Sequence, residues 1–440
     1  MKFIYKINTV LLITVLLALM TIIVACTQET SNEQSSSDNT MDDASKPFAG
    51  QEIDVLLQRS GDTEYLMDNT DEFTEETGIE VNYTPIAYEE IQERTLLSLS
   101  SNSGEFDVVN PFTEMIPALQ HSGWIEDLNK IPEEYNVEPI DLDQFMQNYQ
   151  DYYTFNGETQ FVLFQPDTRV LYYNKTLLEE AGIDPPTTWE ELEEAAEALT
   201  DPDEGVYGYA TSTAQGPWTV LTWLPVLYSM GENVLGPDNL PMLDSEAALE
   251  ATEFYTNMVH NYSPPQGVSM DVFEIEPLLR DGTIAMATIA SIVNDPNIGM
   301  MSYPLYDEST DRTGSGTTGG WGFGIVKDSD VKGAAYEWLR WATSKETMKE
   351  AALAGRLSPG RMDIYEEPDF QEANPNWEAQ MEALSTSKMY FPLPVEPEAQ
   401  EILGTELSRI VTEETTPEEG LDTAQEEILE LIKGGGYYSE

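Results

Sequence analysis

Ile53, Val55 and Leu57 alternate with Asp54 and Leu56, a period of two that predicts a strand. Ser60-Gly61-Asp62 reads as a loop, and helical text runs from there to Glu76. Thr77-Gly78 stops that helix, and Ile79 to Tyr83 alternates again as a second strand. Glu89 to Ser100 reads as a helix and Phe106 to Val109 as a third strand. Strands separated by helices predict an α/β architecture with parallel pairing. Farther on, Thr188 and Glu191 match a capping box ahead of Trp189, Leu192, Ala195 and Leu199 at helical spacing. Asn174 is placed to cap the helix that follows Tyr172-Tyr173, and Gly182 with Pro185-Pro186 ends it. Trp338, Leu339, Ala342 and Met348 suggest another amphipathic helix, and Glu398 to Ile432 is mostly helical text.

One motif fails on context. Gly314-Ser315-Gly316-Thr317-Thr318-Gly319 fits GxGxxG, but it follows a polar loop and leads into the strand-like Trp321 to Val326. A dinucleotide fingerprint needs a strand before it and a helix after it.

The beginning of the chain reads as an address. Lys2 and Lys6 precede an uncharged stretch from residue 7 to 25, a basic region followed by an apolar one. The stretch ends Ile23-Val24-Ala25-Cys26, which resembles a bacterial lipobox, so cleavage would free Cys26 for lipidation. An uncleaved membrane anchor is the other reading. Residues 27–47 are rich in Ser, Asn, Asp and Gln and read as a flexible tether.

Charge narrows the function classes. The 440 residues carry 81 acids against 20 Lys and Arg, a net charge of −61. Removing residues 1–25 takes away two lysines and no acid, which moves it to −63. Nucleic-acid binding needs a cationic footprint, and this chain has the opposite sign. Attraction to anionic lipid through a basic patch fails for the same reason. Apolar residues make up 40% of the chain, enough for a core, so the charge does not imply disorder. In molar salt the Debye length falls to about 3 Å and the self-repulsion fades, so the composition suits a high-salt environment. A single cysteine excludes an internal disulfide, and His121 and His260 lie too far apart in sequence to suggest a metal site. No cofactor motif stands out.

Five segments, in order, resemble family 1 of the extracellular solute-binding proteins of ABC importers, the sugar-binding type related to maltose-binding protein. They are Phe73 to Val81; Gly104 to Val109 with Gly123 to Leu128; Leu171 to Lys175 with Ala181 to Pro186 and Thr188 to Leu192; Gly282 to Met286; and Gly319 to Ile325. The resemblance runs from about residue 53 to 432. It implies a type II periplasmic-binding-protein-like α/β fold: two lobes joined by hinge crossovers and closing on a ligand between them. By that analogy residues 1–25 are a lipoprotein signal and 26–48 a tether. Lobe 1 combines 49–164 with 321–360, and lobe 2 combines 168–318 with 362–434. Crossovers are expected near Phe164 to Thr168, near Thr318 to Trp321, and just past Leu357.

A sugar offers hydroxyls at its edge and C–H groups on its faces, so its cleft needs carboxylates or amides and aromatic rings. The resemblance points to Asp167 and Glu114 as ligand-binding acids, and to Ser60 and Asp62 in the first strand–helix loop. Trp321 after Gly320, Trp218 and Tyr390 are the candidate stacking residues, each also readable as core. Arg169 near the hinge either pins Asp167 or binds a ligand oxygen. Two departures stand out. Ala290-Ser291-Ile292 occupies a place where relatives often carry a Trp, and Asn110-Pro111-Phe112 lacks the Asp or Trp often found there. The leading expectation is a lipid-anchored, monomeric, extracytoplasmic receptor that delivers a carbohydrate to an ABC permease and catalyses nothing. The alternatives are the same role with a peptide or polyamine, and a secreted glycosidase, which would need a close carboxylate pair that nothing in the sequence singles out.

Overall fold

A computed structural model describes residues 46–290, 295–307, 309, 316–389 and 391–438. Cys26, the leader, most of the tether and Tyr390 lie outside them. The chain divides at Pro47, and every element below belongs to Phe48–Glu440.

Two sheets organise this unit. The first contains β1 (Glu52–Gln58), β2 (Glu80–Ile86), β3 (Val108–Val109), β4 (Val162–Asp167) and the late strand β10 (Gly319–Ile325), in the order β2-β1-β3-β10-β4. β1 runs parallel to β2 and β3, whereas β10 runs antiparallel to β3 and β4. The second contains β5 (Val170–Asn174), β6 (Tyr207–Thr211), β7 (Ile284–Ile289) and β8 (Ile298–Ser302), in the order β8-β5-β7-β6. A short β9 (Gly316–Thr317) pairs in parallel with β11 (Ser387–Lys388).

Each sheet is wrapped in helices and owns a core. Ile53, Val55, Leu56 and Leu57 of β1 are all fully buried. That continuous run is what a parallel strand covered on both faces requires, and it replaces the alternation expected for this strand. Those residues, with Phe73, Leu163, Phe323 and Trp338, form the core of lobe 1. In lobe 2, β5 splits its side chains by parity. Leu171 joins Trp223, Met286 and Leu403 on one face, while Val170 and Tyr172 join Ile275 and Ala287 on the other.

The local signals mostly act as their chemistry suggests. The Asn174 side chain accepts a bond from the Leu177 amide at the start of Lys175–Ala181, and Gly182 ends that helix in the left-handed region at φ 68°. At the helix Trp189–Leu199 the Thr188 hydroxyl caps the Glu191 amide. The Glu191 carboxylate accepts from the amide and hydroxyl of Thr187, one residue earlier than a regular capping box, and is held below the usual carboxylate range. The first helical stretch breaks at Asn69 into Gly61–Asp68 and Thr70–Thr77, and the last one divides into Glu396–Val411 and Pro417–Gly435. The third strand is two residues long. The GxGxxG segment opens strands on its described side, with no helix after it.

Thr168 and Arg169 join β4 of the first sheet to β5 of the second, and beside them Thr318 joins the β9–β11 pair to β10 of the first sheet. Past Leu357 the path differs from expectation. Ile364, Tyr365, Phe370 and Leu384 pack into the core of lobe 1, Ala383 joins the lobe 2 cluster of Val170 and Tyr172, and from Phe391 onward the buried apolar side chains belong to lobe 2. Among the described residues no helix is long and apolar enough to cross a membrane.

Candidate functional site

The two crossovers lie side by side. β10 pairs with β4 so that Gly319 faces Asp167, Gly320 faces Pro166 and Trp321 faces Gln165, before the register slips between Trp321 and Gly322. Gly320 sits at φ +111°, and a Cβ there would lie 2.1 Å from the Gln165 carbonyl oxygen, so only glycine fits. The missing side chain at Gly319 leaves room for an ion pair. A Cβ on it would meet both Arg169 Nη1 and Asp167 Oδ1 at 2.9 Å. Those atoms are themselves 2.9 Å apart, with Arg169 5% exposed and Asp167 34% exposed. Tyr149 donates its hydroxyl to the Asp167 carbonyl at 2.7 Å. Arg169 therefore orients the Asp167 carboxylate, which keeps a solvent-facing side.

The loop after β3 is sewn to the same strand. Asn110 Nδ2 donates to the Gly322 carbonyl and Thr113 Oγ1 to the Gly320 carbonyl, each at 2.9 Å. This fixes Glu114, 7% exposed, in the short 3₁₀ turn Thr113–Met115. Nearby, the Tyr152 hydroxyl lies 3.3 Å from both the Thr113 carbonyl and Glu396 Oε2 at the start of Glu396–Val411. Burial, then the charges of Glu396 and Glu114, push the pKa of Tyr152 well above the ordinary phenol value. Three rings complete this wall. Trp321 meets Tyr88 and Phe112 edge-on at centroid distances of 6.0 and 5.7 Å, and Tyr88 lies 5.6 Å from Phe112.

Lobe 2 supplies the opposite wall. Trp218 and Leu221 come from the first turns of the helix Pro217–Ser229, and Val272 and Phe273 from the start of the helix Val272–Asp281. Between the walls lies a cleft of about 300 Å³, lined by Asp167, Arg169, Glu114, Gly320, Trp321 and Trp218. Six sequence-derived candidates thus share one space.

Ser60 and Asp62 are not brought into it. Ser60 starts the helix Gly61–Asp68, and Asp62 folds back to accept from the Ser60 hydroxyl and the Thr63 amide. Burial raises its pKa above the usual carboxylate range, against the lowering effect of those bonds. From that connection Gln58, the last residue of β1, lines the cleft instead. Tyr390 lies outside the described residues. Tyr88, Phe112, Phe273 and Ala290 also line the cleft, although the sequence reading did not select them. Two of these, Phe112 and Ala290, are in the segments that depart from the family pattern.

Carboxylates, an amide and a guanidinium beside five aromatic rings can bind hydroxyl edges and C–H faces together. Among the described residues no His, Cys, Asp and Glu side chains group as a metal site.

Known proteins resemble this chain in sequence and in fold. A family model described as bacterial extracellular solute-binding protein matches residues 59–349. A protein of Sinorhizobium fredii named "Probable amino-acid ABC transporter periplasmic-binding protein" is 27% identical, over 89% of this chain and 92% of its own. The mannitol-binding protein of Pseudomonas aeruginosa is 24% identical, over 79% of this chain and 85% of its own. A solute-binding protein of Agrobacterium radiobacter solved with ribitol superposes with TM-score 0.77 at 25% identity, over 88% of this chain and all of its own.

Proposed function

Because the chain belongs to the bacterial extracellular solute-binding protein family, we propose that it captures a small carbohydrate or sugar alcohol between its lobes and hands it to an ABC permease. Members of this family are extracytoplasmic binding proteins of transport systems rather than enzymes. The observation that carries the ligand class is the meeting, at the hinge, of Asp167, Arg169 and Glu114 with the rings of Trp321 and Trp218 around one cleft. Its volume, about 300 Å³, is at the lower end of small-molecule sites, which run from ~300 to 1,000 Å³. That suits one or two sugar units. The ligand comes between two lobes joined by neighbouring crossovers, so binding favours the closed arrangement by its differential affinity for it. Lipidation of Cys26 would tether the receptor beside its permease, and the acidic surface suits high salt.

The named relatives divide on ligand class. The mannitol and ribitol receptors support the polyhydroxy ligand, while the name of the Sinorhizobium relative favours a second reading in which the ligand is an amino acid. A thermal-shift screen of the full chain in roughly 2–3 M and 0.15 M salt decides between them. It uses alditols, mono- and disaccharides, amino acids, peptides and polyamines. Selective ligands raise the melting temperature by mass action. A response confined to sugars or alditols supports the proposal. A response confined to amino acids or polyamines overturns the carbohydrate assignment and leaves the transport role. Conversion of a bound disaccharide into its units would overturn the receptor reading altogether.

A further inference from the structure

Among the described residues six large apolar side chains stand exposed, and two of them, Tyr88 and Phe273, line the same cleft from opposite lobes. Phe273, at 75%, is the most exposed of the six, and Tyr88 is at 40%. The backbone beneath Phe273 is nevertheless pinned. The Asp271 carboxylate accepts from the amides of Phe273 at 2.8 Å and Glu274 at 2.9 Å, and Glu274 Oε2 accepts from the Asp271 amide at 3.1 Å. This capping box starts the helix Val272–Asp281, whose Val272, Ile275 and Leu279 are buried in lobe 2. Among the described residues no aromatic ring pairs with Phe273. A rigid mount thus holds an apolar ring in water at the edge of a ligand site, where covering it releases favourable burial energy.

The inner rings differ. Phe112 and Trp321 already pack edge-on against each other, beside the Asp167–Arg169 pair. A single sugar unit held at the hinge satisfies that inner zone and leaves the rim rings wet. A second unit covers them.

We propose that Phe273 is a specificity-determining residue that reads ligand length: with Tyr88 it forms an outer zone for the apolar face of a second sugar unit, so disaccharides or glycosides are preferred over single rings and alditols. The proposal rests on the carbohydrate reading of the same cleft.

Calorimetric titration of the full chain tests it, with D-glucose and D-mannitol as one-unit probes and a set of α- and β-linked disaccharides as two-unit probes. Wild type is expected to bind at least one disaccharide about tenfold more tightly than either one-unit probe. Phe273→Ala should remove that advantage, about tenfold, while one-unit affinities stay within about twofold. Phe273→Trp should keep the advantage, and Leu97→Ala, an exposed residue outside the cleft, should change nothing. Phe273 is exposed, so its loss leaves the fold intact. Equal loss for one- and two-unit ligands would make Phe273 a general lid and overturn the length assignment, as would no loss at all. Tighter binding of a one-unit probe by wild type sinks this inference but leaves the carbohydrate reading standing. Failure of every sugar and alditol to bind sinks both.

Discussion

The two walls of the cleft are built differently. On lobe 1, Tyr88, Phe112 and Trp321 lean on one another, and the loop carrying Glu114 is stitched to β10 by Asn110 and Thr113. On lobe 2, Trp218 and Phe273 occupy the first turns of separate helices and have no ring partner among the described residues. The first wall is assembled before any ligand arrives. The second presents separate rings on fixed mounts. The contrast teaches that lobe 1 can impose geometry on a ligand, while lobe 2 adds contact area that is gained only on closure. Residues of the first wall should therefore couple stability to affinity, and the rings of the second should affect affinity more than stability.

The strongest way to break the first wall is at its backbone. Gly320→Ala forces a side chain into the Gln165 carbonyl and should destabilise the protein by about 4 kcal/mol, with loss of binding, measured by urea unfolding and titration. Next, Trp321→Ala should lower stability by about 2 kcal/mol and affinity by at least about tenfold. Trp218 is partly buried against the lobe 2 core, so Trp218→Ala should give a similar affinity loss with about 1 kcal/mol of destabilisation. Equal stability losses for the two tryptophans would remove the distinction between the walls. Arg169→Met separates positioning from packing, since it leaves Asp167 without its partner. It should lower affinity about tenfold at a stability cost of about 1–2 kcal/mol, reduced because Asp167 is a third exposed.

The smallest effect lies outside both walls, at Asp62. Its folded-state pKa is raised above 3.8 by burial, so the charged form is disfavoured in the fold. As pH climbs from 3.8 through the raised value, the unfolded chain ionises first and stability falls; above both values the penalty is constant. Asp62→Asn should therefore raise the melting temperature at neutral pH by about 2–4 °C and lose that advantage near pH 4. A pH-independent difference would show that the Ser60 and Thr63 bonds, rather than the charge, set the balance.

Much of the architecture was legible because its local chemistry is unambiguous. Asn174, Gly182 and Thr188 cap or stop helices whatever surrounds them, Trp321 sits in one of the five ordered segments, and Asp167 and Arg169 lie just ahead of another. Gln58, Tyr88 and Phe112 were harder to see, because their importance comes from strand order rather than from neighbours in sequence. Gln58 ends β1, Tyr88 lies two residues past β2, and Phe112 lies three past β3. Ligands of open α/β sheets gather at such carboxyl ends, and that rule would have found all three. It also pointed to Ser60 and Asp62, where local hydrogen bonding turned the carboxylate inward instead. Phe273 gave no signal, since a Phe inside a helix reads as core until the helix is seen from outside. The late return of Ile364 and Phe370 to lobe 1 was hidden for a related reason: apolar residues do not say which of two cores they join.

β10 has one more consequence, which concerns how such a receptor changes its diet over generations. Glycine recurs along this strand, and a methyl group at Gly322 would press to 2.8 Å against the Tyr153 ring, or at Gly324 to 2.7 Å against Phe161. Positions that cannot accept a side chain cannot be where a new preference arises, which leaves Trp321 as the strand's one ring in the cleft. Variation is pushed across the cleft to the helix starts holding Trp218 and Phe273, so descendants can acquire new nutrients while inheriting the same hinge.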